Sequence, residues 1–212
     1  MTELTNISPF AGFLPATIIP DNGLSDDRLE ALASRDLDNA HIRCERTEQG
    51  PLRMYAPVPE AIWLMIQSLR RELTQWLGKT NTAGQVVARR RFFLGDFSMM
   101  CPDIAYIAPD GDGKRVDIGY GRLLNLCPSF VVEFCTHPRE LRWLKDKMLR
   151  WMASGAELGW LVVPQEQCVY TYSPSAEAVI MKGQFAVGRG RWEELTVFLP
   201  ELWSFDQYKR SY

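Results

Sequence analysis

The chain has 212 residues, of which 46% are hydrophobic, including seven Trp and ten Phe. That supply fills a core and excludes disorder as the default state, and the length suits one domain with at most a small appendage. With 24 basic against 26 acidic residues the net charge is −2. There is no global pull towards a polyanion, so any contact with nucleic acid rests on local basic clusters.

No stretch approaches the ~18 apolar residues that a membrane span needs. Residues 9–20 come nearest, but they hold Pro9, Pro15 and Pro20 and lack the basic start of a secretory signal. An ordered N-terminal arm packed on the domain is expected there. The cysteines (Cys44, Cys101, Cys127, Cys135 and Cys168) are scattered and odd in number. That pattern predicts reduced thiols in a cytoplasmic protein. With only His41 and His137 available, a structural zinc site is not expected, and any metal would be a hard cation held by oxygens.

In chain order, Ser25-Asp-Asp-Arg-Leu-Glu offers an N-cap and an acidic first turn, predicting a short helix over residues 25–33. Strand-like runs at 41–47 and 52–56 flank Glu48-Gln49-Gly50-Pro51, which predicts a hairpin. Apolar residues from Ile62 to Leu77 recur at spacings of three and four, giving a helix over 59–77 stopped by Gly78. Residues 85–94 read as one strand carrying Arg89-Arg90-Arg91 in alternation. Residues 104–108 read as a strand ending in a Pro-Asp-Gly-Asp-Gly turn. Residues 129–135 are apolar enough for a central strand buried on both faces.

Pro138 suits a first helical position and opens a second helix over 138–153. Its expected core stripe is Leu141, Leu144, Met148 and Met152, and Gly155 ends it. Strands follow at 158–163 and 168–172, with weaker ones within 178–198. This order predicts a mixed sheet flanked by helices, α/β (α+β) in class. The expected division is an N-terminal arm with a short helix over 1–37 and a single domain over 38–212.

Two carboxylates stand out by their surroundings. Asp103 follows Pro102 at the start of a strand, and Glu133 lies inside Phe-Val-Val-Glu-Phe. A carboxylate in a buried strand is costly unless it is paired, hydrogen-bonded or metal-bound. The plain alternative is a structural acid meeting an arginine. Strand alternation puts Val131, Glu133 and Cys135 on one face. Metal-dependent nucleases use such carboxylates to hold Mg²⁺, with a lysine beside them to polarise water or phosphate.

The spans Cys101-Pro-Asp-Ile-Ala-Tyr-Ile and Cys127-Pro-Ser-Phe-Val-Val-Glu-Phe resemble motifs of a bacterial family. So does Lys147-Met-Leu-Arg-Trp-Met-Ala-Ser-Gly-Ala-Glu-Leu-Gly-Trp-Leu-Val-Val-Pro. The family is that of the "putative restriction endonucleases", within the PD-(D/E)XK nuclease superfamily. The likeness runs from about residue 42 to 203. It takes in Glu45-Arg-Thr-Glu-Gln-Gly-Pro-Leu-Arg-Met-Tyr-Ala-Pro and Leu199-Pro-Glu-Leu-Trp.

The resemblance implies a restriction-endonuclease-like mixed β-sheet flanked by helices and a Mg²⁺-dependent phosphodiesterase site, with Mn²⁺ as a possible substitute. Asp103 and Glu133 match the acidic pair. Lys147 matches a lysine recurrent on the following helix, where it is expected at the edge of the apolar stripe. Glu60, at the start of the first long helix, is the candidate for a further metal-binding acid, with Glu45 behind it. The plain alternative, which its first-turn position favours, is that Glu60 is an ordinary acid placed by the helix dipole.

Departures bear on activity. Cys135 stands where the superfamily has lysine, and Ser129 where an aspartate is common. A buried thiol cannot replace an ammonium. Water activation therefore falls to Lys147, with Lys145 second, and the competing reading is a nuclease fold that binds nucleic acid or protein without cutting. Cys135 is not expected as a nucleophile, because an apolar strand raises a thiol's pKa. Arg139, Arg142, Lys145, Lys147 and Arg150 give the second helix a basic surface suited to DNA phosphates or simply to solvent. DNA is the expected partner, no membrane is expected, and a homodimer is compatible with cutting both strands. The discriminator is whether Asp103, Glu133 and Lys147 converge around one solvent-accessible point; side chains that point apart would defeat the nuclease reading.

Overall fold

The computed structural model describes residues 16–18, 43–47, 50–55, 58–80, 83–95, 98–119 and 123–205. The helix expected at 25–33 and the expected boundary at 37 lie outside these residues, as does most of the N-terminal arm. The chain divides into two compact units.

The first unit is a five-stranded antiparallel sheet. Its strands are β1 (Ala16–Ile18), β2 (Arg43–Arg46), β3 (Leu52–Tyr55), β5 (Phe92–Phe93) and β6 (Met99–Met100), in the order β1-β3-β2-β6-β5. β2 and β3 form the expected hairpin. Gly50, at φ +99°, takes the left-handed position of its turn and donates to the Thr47 carbonyl at 2.9 Å. Glu45 is buried here. One of its oxygens accepts the Cys101 N–H at 3.0 Å and the other the Tyr55 hydroxyl at 2.9 Å.

The second unit is a six-stranded sheet with helices. It contains α1 (Glu60–Thr80), β4 (Gln85–Ala88), β7 (Ile104–Ile107), β8 (Phe130–Phe134), α2 (Leu141–Ala153), β9 (Leu158–Val163), β10 (Cys168–Tyr172) and β11 (Val179–Met181). A ribbon of β12 (Phe185–Val187) and β13 (Thr196–Phe198) and the short helix α3 (Leu199–Ser204) follow. The strand order is β11-β10-β9-β8-β7-β4. Only β8 and β9 run parallel, joined by α2, and the other pairs are antiparallel. β8 and β9 are central and buried along their whole length, as their continuous apolar runs predict.

Three local expectations change. α1 runs through Gly78 to Thr80, whose hydroxyl donates to the Trp76 and Leu77 carbonyls at 3.2 Å and satisfies the last turn. The expected strand 85–94 is broken. Arg89 adopts φ +52°, so Arg89-Arg90-Arg91 is the link between β4 and β5, which belong to different sheets. A single alternating strand cannot pass through a left-handed residue. The second helix begins with one tighter turn over Pro138–Glu140, capped by His137 Nδ1, which accepts the Arg139 N–H at 3.1 Å.

The core stripe of α2 is also rotated. Leu144, Lys147, Met148 and Trp151 are buried, whereas Leu141 and Met152 are only half-buried. Burying the three apolar members against β9 and β10 contributes roughly 1.5–3 kcal/mol each. Gly159 of β9 makes this close approach possible. A Cβ there would strike the Met148 terminal methyl and lie 3.0 Å from that of Met152. Gly155, at φ +111°, ends α2. The Ala156 N–H bonds the Trp151 carbonyl at 3.0 Å and the Gly155 N–H that of Met152 at 3.2 Å, a Schellman closure.

Candidate metal centre

The register of β7 and β8 pairs Ile104 with Val132, Ala105 with Val131 and Tyr106 with Phe130. One step further along the same register sets Asp103 opposite Glu133. Directly opposed residues share a face, with Cβ atoms about 4.5–5.5 Å apart. Pro102 comes next and has no N–H to continue the ladder. The Phe134 N–H instead donates to Asp103 Oδ2 at 2.8 Å, so the aspartate side chain closes the strand pair.

Glu133 sits on β8 beneath α2. Its Oε1 receives two donors from that helix: Lys147 Nζ at 2.6 Å and Trp151 Nε1 at 3.0 Å. Lys147 and Trp151 are four residues apart and so stack on one helix face. Trp143 is four residues before Lys147, whose ammonium also lies 5.5 Å from the Trp143 ring centroid, within cation–π range. An isolated ammonium or carboxylate would not stay charged in such a place, and the pair holds because each member meets the other. Lys147 is thus a core residue rather than an edge lysine on the solvated surface.

The structure brings Glu133 and Lys147 into contact and sets Asp103 across from Glu133. It does not bring Glu60 to them. Glu60 is exposed in the first turn of α1, a helix that packs on β4, and among the described residues no three His, Cys, Asp or Glu side chains gather as a metal cage. Nor is the converging point open: Asp103, Glu133 and Lys147 are 1%, 0% and 2% exposed.

Cys135 is buried two residues beyond Glu133. Its thiol donates to the His137 carbonyl at 3.2 Å, and burial first, with Glu140 adding to it, pushes its pKa up to about 11. It stays protonated at neutral pH, as expected, so Lys147 is the cation that meets Glu133. Trp151 was not foreseen as a site residue. The spacing Leu144, Lys147, Met148, Trp151 is the signal that would have found it.

The other basic residues of α2 divide. Arg142 and Arg150 are exposed, as is Arg139 just before the helix, while Lys145 is half-buried with its ammonium 4.3 Å from the Tyr170 ring centroid. Losing Lys147 to the core thins the basic surface expected on this helix.

Asp103 and Glu133 fit a Mg²⁺ ion as hard oxygen donors on neighbouring strands. Mg²⁺ commonly takes one or two protein carboxylates and completes its shell with water and phosphate oxygens. Asp103 and Glu133, at 1% and 0% exposure, meet no solvent that would complete such a shell.

The fold is restriction-endonuclease-like, a mixed sheet flanked by helices. The chain belongs to the Uma2 family, whose model is described as "Putative restriction endonuclease" and matches residues 27–207. A solved structure described as a "putative nuclease belonging to DUF820" from Anabaena variabilis shares the fold at a TM-score of 0.63. It is 18% identical, and the match covers 76% of this chain and 90% of that one. Among curated proteins none matches. Among the described residues no helix is long and apolar enough to cross a membrane.

Proposed function

We propose that this protein is a Mg²⁺-dependent endonuclease that hydrolyses phosphodiester bonds in DNA, with Asp103 and Glu133 as metal carboxylates and Lys147 as the catalytic cation. The observation that carries the reading is the 2.6 Å contact between Lys147 and Glu133, with Asp103 opposite in register. Bound Mg²⁺ would supply Lewis-acid stabilisation of the charge that builds on the phosphate oxygens. Trp151 and Lys147 hold Glu133 Oε1 in one orientation. Lys147 neutralises charge beside the reacting group. The exposed Arg139, Arg142 and Arg150 provide sequence-independent contacts to the DNA backbone.

The test is nicking of supercoiled plasmid with Mg²⁺ or Mn²⁺. Wild type cuts, and Asp103→Ala and Glu133→Gln do not. Equal cutting by wild type and Asp103→Ala marks a contaminant and defeats the reading. The burial of all three side chains, with Cys135 at the usual lysine position, favours a second reading: a nuclease fold that binds DNA or protein without cutting. Tight DNA binding with no metal-dependent cleavage is its signature.

A further inference from the structure

β11 is the outer strand of the six-stranded sheet, and among the described residues it is hydrogen-bonded along its length to β10 alone. Its side chains are those of an interior strand, yet Val179 and Ile180 are exposed, the latter at 49%. Register assigns their faces. Ile180 pairs with Tyr170, whose ring carries Lys145 of α2, so Ile180 lies on the α2 side. Val179 and Met181 point to the other side. There the Met181 sulfur accepts the Val187 N–H at 3.5 Å.

On the α2 side an open groove of about 710 Å³ lies between the helix and the turn leading into β11. Leu149, Met152 and Tyr172 give it apolar walls, and Lys145 and Glu177 line it too. Leu149, at 56%, is the most exposed large hydrophobic residue among those described.

We infer that β11 and this groove form the contact face of a homodimer, in which a second copy of the chain adds its own β11 in antiparallel fashion across a two-fold axis. An uncovered apolar edge strand is otherwise a template for uncontrolled pairing. A stable interface buries roughly 1,200–2,000 Å² in total. A three-residue edge is too small alone, and the groove with Leu149 extends it on the side where Ile180 projects.

Charge order selects the occupant. A two-fold axis normal to the sheet keeps the faces matched. Ile180 then meets Ile180 of the second copy, and Val179 meets Met181 of the second copy. The same register sets Lys182 opposite Ala178, next to Glu177, at both ends of the joined strands. The segment runs acid, apolar, apolar, apolar, apolar, base from Glu177 to Lys182. Antiparallel copies therefore place opposite charges together, whereas parallel ones would stack like on like. Isologous pairing of this kind is the usual closure for a dimer.

Sedimentation velocity on the full chain tests this across a concentration series. Wild type is expected to dimerise. Ile180→Asp is expected to raise the dissociation constant at least ~10-fold, about 1.4 kcal/mol, with an unchanged circular dichroism spectrum. Glu177→Lys and Lys182→Glu each weaken the dimer, and the combined reversal restores it. Because these two residues are exposed, the charge series stands even where Ile180→Asp does not fold. A wild type that stays monomeric at every soluble concentration overturns the proposal. So does a dimer that is indifferent to all three single changes, or a double reversal that fails to restore pairing.

Discussion

Lys147 and Glu133 form an ion pair at 2.6 Å with both side chains closed off from water. They come from adjacent elements in sequence, β8 and α2, and meet because the helix lies back over the strand that precedes it. The crossover from β8 through α2 to the parallel strand β9 is the connection that permits this. The pair is therefore a feature of the packed core as well as of the candidate site.

Removing one member leaves the other charge buried. Lys147→Ala is expected to lose about 3–5 kcal/mol of unfolding free energy, measured by urea denaturation. Trp151→Phe keeps the ring's bulk and removes one donor to the same oxygen, so its expected loss is smaller, about 1.5–3 kcal/mol. The double variant is expected to lose less than the sum, since both donors serve Glu133 Oε1. Simple additivity would mean that the two donors act independently.

Gly159 lets α2 settle on β9 with Met148 and Met152 over it. Gly159→Val is expected to push the helix outward and lengthen the Lys147–Glu133 contact, at a stability cost of about 1–3 kcal/mol from overpacking. A crystal structure of the variant, read together with its melting curve, checks this. An unmoved helix with full stability would show that the methionine ends alone absorb the added side chain.

Four thiols are driven up by burial: Cys135 to about 11, Cys44 and Cys127 to about 12, and Cys168 in the same direction. Each folded value lies above the unfolded one near 9. Between those values the folded chain binds more protons than the unfolded chain, so stability falls as pH rises. The contribution is present in full below about pH 9 and is lost as pH climbs through 11 to 12. Denaturation across that window is expected to show a declining midpoint, less steep in a variant with Cys44, Cys127 and Cys135 replaced by serine or alanine, with Cys168 and Tyr172 contributing to the remaining decline. At pH 8 the native thiols should resist iodoacetamide and react on unfolding.

Much of the architecture was legible from local pattern. The hairpin around Gly50, the two long helices, the buried run of β8 and the paired strands β9 and β10 all lie where periodicity and turn chemistry place them. These signals are local: a glycine at positive φ, a proline at a helix start, apolar spacing of two or of three and four. The boundary errors fall where two local rules compete. Gly78 reads as a stop, but Thr80 satisfies the last carbonyls, and the helix continues.

The sequence by itself determined which strand buries a glutamate and which helix returns over it. Only the tertiary structure decided that Lys147 turns inward, that Trp151 joins it, and that Glu60 stays in solvent. The reason is energetic. Periodicity ranks side chains by hydrophobicity, and on that scale Lys147 belongs at the edge of α2. A buried carboxylate changes the ranking, because an ammonium beside it removes the cost of two isolated charges. That attraction depends on the separation of β8 and α2 across the sheet, which Gly159 sets and which spacing along one chain does not encode.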